Sequence, residues 1–150
     1  MKNVDTMQLK GRLDISLNGE IVRTVDNLVV TAGKSWVAAR MSSASAAVMS
    51  HMAIGTGATA AAVGDTTLQT EVARVALGIA GGTSSTNTIN FTATIPADTP
   101  NITAPATTAV TEAAVLNAAS AGTMLARTVF AVVNKGELDS MTISWTITIS

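Results

Sequence analysis

The chain has 150 residues, the length of one ordinary domain, and its 9 Lys and Arg nearly cancel its 10 Asp and Glu, so no long-range field exists to hold a polyanion or steer an acidic substrate. With no cysteine, disulfides, thiolate metal sites and thiol nucleophiles are excluded, and a single histidine with no tyrosine leaves few acids or bases near neutral pH. Apolar residues make up 47% of the chain but aromatics only 3%, a small-residue core that leans on neighbours and predicts an oligomer or assembly component.

The opening Met1–Thr6 lacks the basic stretch and apolar run of a secretory signal. Residues 1–8 are expected to form a flexible N-terminal arm that orders on a neighbour, and residues 9–150 a single β-sandwich domain. Leu9, Leu13, Ile15 and Leu17 alternate with polar residues, Asn18-Gly19 suits a type I′ turn, and Ile21, Arg23 and Val25 resume the alternation. This pattern predicts a hairpin over 9–25, with the return strand running on through Leu28–Val30.

Thr31 is the expected N-cap of a short helix through Met41, with Trp36, Ala39 and Met41 covering the open end of a sheet. Met52–Ile54 reads as a strand, and residues 57–70 as a long alanine-rich surface loop with one turn over 65–68, where Asp65 caps local N–H groups. The stretch from Val37 to Val63 is too polar for a membrane span, so no membrane partner is expected. Glu71–Ile79 and Ile89–Ile95 read as further strands, separated by a flexible turn at Gly81–Ser85.

Val110–Leu116, Met124–Val133 and Met141–Ile149 are the most regular runs, and Asn134-Lys135-Gly136 predicts a turn that joins the last two as a second hairpin. In the final strand Ile143, Trp145, Ile147 and Ile149 share the inner face, and Thr142, Ser144, Thr146 and Thr148 the outer one. Trp36, Phe91, Phe130 and Trp145 are expected in the core. Short strands, frequent turns and one short helix predict a mainly β protein, an antiparallel β-sandwich or jelly-roll-like domain.

No constellation of catalytic or metal-ligating type stands out. His51 has no His, Cys or carboxylate at ligand spacing, and Gly55-Thr56-Gly57 and Gly81-Gly82 lack the Lys-Ser/Thr of a phosphate loop. Scarce aromatics remove the usual stacking platform for sugars, which weighs against a carbohydrate-binding module. Glu112 enters an otherwise apolar segment, where a charge is costly unless paired. Arg74 and Arg127 are its candidate partners; the alternative is a strand-end carboxylate in water. No enzyme activity, cofactor, metal or nucleic-acid partner is expected.

Five segments in a fixed order carry a resemblance: Ala53-Ile54-Gly55-Thr56-Gly57, Asp65-Thr66-Thr67-Leu68-Gln69-Thr70-Glu71, Glu112–Ser120, Met124–Phe130 and Ser144–Ile149. Across residues 28–150 the chain resembles small virion structural proteins of tailed bacteriophages, β-sandwich modules that serve as head decoration (cement) proteins or as anchors of tail and baseplate fibres. It departs from them where Glu112-Ala113-Ala114-Val115-Leu116 replaces Glu-Ala-Gly-Leu-Phe, losing an aromatic. The resemblance implies a virion protein of head or tail; the sheet scaffold and low net charge favour the capsid surface, with a tail location as the alternative. The partner expected on the capsid is the major capsid protein, and the resemblance implies no catalytic residues; the small-residue, threonine-rich surface adds other copies of the chain itself, as a dimer or trimer. Contacts are expected from the N-terminal arm, at Lys2, Val4 and Met7, and from the alanine-rich loop, at Thr59 and Val63.

Overall fold

The computed structural model describes residues 5–42, 46–100 and 107–150. The protein is mainly β, with nine strands and one helix among the described residues. Chain order is β1 (Leu9–Leu17), β2 (Glu20–Val29), α1 (Thr31–Ser42), β3 (His51–Gly55), β4 (Glu71–Ala76), β5 (Thr83–Ser85), β6 (Thr88–Ile95), β7 (Thr107–Leu116), β8 (Met124–Gly136) and β9 (Met141–Ile149). The strands form one antiparallel sheet in the order β4-β3-β7-β8-β2-β1-β9-β6-β5. It curls so that its two halves face each other in a sandwich-like arrangement, with β2 shared between them. β2 pairs with β1 along most of its length but with β8 only at Leu28 and Val29. Beyond that point Arg23 spans the gap, donating from Nε to the Ala131 carbonyl (3.2 Å) and from Nη2 to the Val132 carbonyl (3.0 Å). At the far end of the curl, Gly78 N–H donates to the Thr92 carbonyl (2.8 Å).

The first hairpin forms as its alternation dictates. Asn18 and Gly19 take φ of 51° and 86°, the double positive φ of a type I′ turn. Leu13 and Ile15 are buried on the inner face. Gln8 extends the ladder of β1 with β9, exchanging backbone hydrogen bonds with Ser150. Inside the curl, Trp145, Phe91, Leu13, Ile15, Ile95 and Met141 are fully buried, and the Trp145 indole N–H donates to Asn27 Oδ1 (2.7 Å). Gly11 lies opposite Asn27, and a Cβ there would overlap the amide, so the missing side chain is what admits Asn27 beneath the tryptophan.

Several expectations need correction. Met124–Val133 and Met141–Ile149 do not form a hairpin: β8 pairs with β7 and β2, while β9 pairs with β1 and β6. Asn134-Lys135-Gly136 is not a turn, because β8 runs on to Gly136 with Lys135 opposite Thr108 of β7. The chain reverses at residues 137–140 instead and crosses between the halves of the sheet. β4 ends at Ala76 rather than Ile79, and Thr83–Ser85 of the expected flexible turn pair with β6 as the short strand β5. The loop turn lies at 62–65, closed by Asp65 N–H on the Ala62 carbonyl (3.0 Å), not over 65–68.

In α1 the first helical bond runs from Lys34 N–H to the Val30 carbonyl (3.1 Å), which makes Val30 rather than Thr31 the cap position. Only Gly33 of the helix is buried. A Cβ at Gly33 would lie 2.1 Å from the Leu125 carbonyl oxygen, so the glycine lets the helix rest directly on the backbone of β8. Trp36 is half-buried, with its indole N–H on the Ala47 carbonyl (2.7 Å), while Ala39 and Met41 are exposed rather than packed over the sheet end.

Candidate functional site

Among the described residues, a buried ionic knot under the 56–70 loop gathers Glu112, Arg127 and Asp65. β3 and β7 align Gly55 with Glu112, and β7 and β8 align Glu112 with Val129. Arg127 stands two residues from Val129 on β8, so its side chain shares a face with Glu112 as a diagonal cross-strand neighbour. Glu112 is wholly inaccessible to solvent and Arg127 almost so. Arg127 Nε and Nη2 donate to Glu112 Oε2 at 3.0 and 2.8 Å. Its Nη1 reaches Asp65 Oδ2 at 2.7 Å, and Nη2 also donates to the Thr59 carbonyl at 3.0 Å.

The loop closes the remaining valences. Glu112 Oε1 accepts from the N–H groups of Gly57 (3.0 Å) and Thr70 (2.8 Å), and Oε2 from Gln69 N–H (3.0 Å). Asp65 Oδ2 also accepts from Ala62 N–H (2.8 Å), and Thr59 N–H donates to Gln69 Oε1 (3.0 Å). Leu68 drops into a small second core with Val30, Ala53, Ala114, Leu116 and Met124. Gly55 and Gly57 are required by proximity, since a Cβ at either would come within 2.5 Å of Glu112 Oε1. The two glycines are thus the space in which the carboxylate sits.

The electrostatics follow from this geometry. Burial pushes the Glu112 carboxyl upward, but the Thr70 N–H, the Arg127 guanidinium and the Gln69 and Gly57 N–H groups outweigh it and hold the pKa below the usual glutamate value. Asp65 is balanced in the same way, with burial overcome by Ala62 N–H and Arg127. Burial opposes the Arg127 charge, yet Glu112 and Asp65 raise its pKa. All three groups are therefore ionised at neutral pH. Every ionised oxygen of Glu112 is already engaged by a donor, so the carboxylate works as the clasp of the loop and has no lone pair to offer a substrate.

Of the two candidate partners for Glu112, Arg127 is the one used. Arg74 pairs with Glu71 (2.7 Å) and donates to the Ala118 and Ala121 carbonyls at 3.0 and 2.9 Å. Asp65 caps its turn upstream, at Ala62, rather than over residues 66–68. His51 sits in β3 with Nδ1 2.8 Å from Ser50 Oγ, and among the described residues no group of three or more His, Cys, Asp or Glu could hold a metal. No described helix is long and apolar enough to cross a membrane.

The expected contact residues fall in separate places. Thr59 and Val63 are exposed on the clasped loop, where the Val63 carbonyl accepts from Thr31 N–H at 2.8 Å and so ties the loop to the start of α1. Met7 is 58% exposed and lines a groove beside α1 that neither of them lines. Lys2 and Val4 lie outside the described residues. Sequence reasoning missed Lys135, which is fully buried in β8 with no hydrogen-bond partner for its amino group. Its place within a turn-like tripeptide disguised it. No protein-family model matches the chain, and no curated protein or solved structure matches it either.

Proposed function

We propose that this chain is a non-enzymatic virion protein of a tailed bacteriophage, a capsid decoration (cement) protein that binds the outer surface of the major capsid protein lattice and reinforces the head. The observation that carries the reading is the convergence of four of the five resembling segments on one structural task, the fifth, Ser144–Ile149, lying in β9. Gly55 and Gly57 make room for Glu112, Asp65 and Glu112 hold Arg127, Leu68 anchors the loop, and Gln69 and Thr70 close on Glu112. Segments far apart in the chain, singled out by their order, meet to stiffen one surface loop on a sheet scaffold.

Cementing a lattice needs no chemistry. It needs a rigid scaffold, loops that keep their shape on contact, and a net charge near zero so that copies can crowd over neighbouring subunits. Many copies on a symmetric head then convert weak single contacts into avidity. The test is electron microscopy of purified virions labelled with a gold-tagged antibody against this protein. Label across the head is the expected result. Label confined to the tail would move the function to a baseplate or fibre adaptor, and unlabelled intact particles would overturn the virion reading.

A further inference from the structure

Two open grooves of about 310 and 420 Å³ flank one face of α1 and share Leu9, Val37 and Met41. Trp36, Ile89 and Ile147 deepen the first, and Met7 forms a wall of the second. Met41 is 76% exposed at their meeting edge. The charged side chains along them are cationic: exposed Lys10 and Lys34, and Arg40, whose guanidinium also holds the Ala46 carbonyl at 2.8 Å. This is an apolar floor with a basic rim.

The complementary feature stands at the other end of the molecule. Leu138 is 85% exposed and sits between Glu137 and Asp139 in the turn joining β8 to β9. That turn is fastened on both sides. Asn18 Nδ2 donates to Asp139 Oδ1 (2.8 Å), Gly136 N–H to Asp139 Oδ2 (2.7 Å), and Asn18 exchanges further bonds with the Ser140 backbone. Leu138 is thus an apolar knob on a preorganised mount, which loses little conformational freedom when it docks. β1 and β9 pair from Leu9 with Ile149 at the groove end to Leu17 with Met141 at the turn end. A nine-residue strand spans roughly 30 Å, so no chain can seat Leu138 in its own groove.

We propose that copies of this chain associate head to tail, with Leu138 of one copy seated in the groove beside α1 of the next and the Glu137 carboxylate facing Lys10 and Lys34. A second copy is the occupant because a single chain carries both halves of the match, an acidic-apolar knob and a basic-rimmed apolar groove. The contact is heterologous: each added copy leaves one knob and one groove open, and the assembly closes as a ring or runs on as a filament according to the rotation between copies. The inference deepens the self-association expected under the proposed function and holds for a head or a tail location alike.

The test is sedimentation velocity of the full chain over a dilution series up to about 1 mM, the range in which a single small contact declares itself. The wild type is expected to sediment faster as concentration rises, and Leu138→Asp and Met41→Asp to stay monomeric, with association weakened at least tenfold. Both positions are exposed, and unchanged circular dichroism and melting temperature verify the fold of each variant. Mixing the two variants is the decisive arm, because one retains the groove and the other the knob. An equimolar mixture should form a 1:1 dimer and nothing larger. Glu137→Lys and Lys34→Glu provide a second pair, each weakening association alone and restoring it when mixed. A wild type that is monomeric throughout, an oligomer indifferent to both Asp variants, or a mixture that stays monomeric would overturn the proposal. Virion labelling reads out separately, so either reading can fail while the other stands.

Discussion

Glu112 shows what a single buried charge demands of its surroundings. Removing Arg127 leaves a carboxylate with no route to water, and such a change costs about 3–5 kcal/mol. Arg127→Met should therefore lower unfolding stability by about that amount in urea. Glu112→Leu with Arg127→Met should cost less than the sum of the single changes, with a coupling of at least about 1 kcal/mol in the double-mutant cycle. Lys135 is the opposite case, a buried amine with no hydrogen-bond partner. Burial pulls its pKa below the lysine value of 10.5, against the pull of Asp139 and Asp98. A lowered pKa means that folding disfavours the proton, so stability rises as pH climbs from the folded value toward the ordinary one. Lys135→Met should stabilise the fold by about 1–3 kcal/mol at neutral pH and flatten that alkaline rise, as read by melting temperature at about pH 7 and 10.

At the scale of elements, α1 gives a contest between propensity and packing. Gly33→Ala would favour an isolated helix by about 1 kcal/mol. Here the new methyl would meet the Leu125 carbonyl at 2.1 Å, an overlap with backbone that only a displaced helix relieves. Packing wins, because overpacking costs typically 1–3 kcal/mol. The variant should lose about 1 kcal/mol or more in denaturant, and hydrogen exchange should show the loss concentrated in 31–42. A stabilised Gly33→Ala would mean that the helix does not rest on β8. The outer face of β9 is simpler: Asn90 Nδ2 bonds Ser144 Oγ and Thr146 Oγ1 at 3.0 Å each, and Thr94 bonds Thr142, so the polar alternation read from sequence is a ladder of real contacts.

For the whole molecule, acid should be the effective denaturant. Glu112 and Asp65 both titrate below their ordinary values of 4.5 and 3.8. A lowered carboxyl pKa contributes stability that is complete above the unfolded value and is lost as pH falls through the folded one. The melting temperature should accordingly hold from neutral pH down to about 5 and then fall steeply. Glu112→Gln should start lower and descend on a shallower slope; a slope equal to the wild type would remove the knot from the account of acid stability.

Local order was open to reading from residues alone. Period-two alternation located β1, β2, β6 and β9, Asn18-Gly19 placed its turn, and the burial cost of a carboxylate among aliphatics marked Glu112 as needing a partner. Alternation states which face is inward and says nothing about which strand lies alongside, so only the tertiary structure decided that β8 and β9 part company across the sandwich. Choosing Arg127 over Arg74 required the diagonal register of β7 on β8. Lys135 and the clearance at Gly55 and Gly57 were invisible for the same reason: backbone pairing and close approach join residues distant in the chain, and a sequence pattern records only near neighbours.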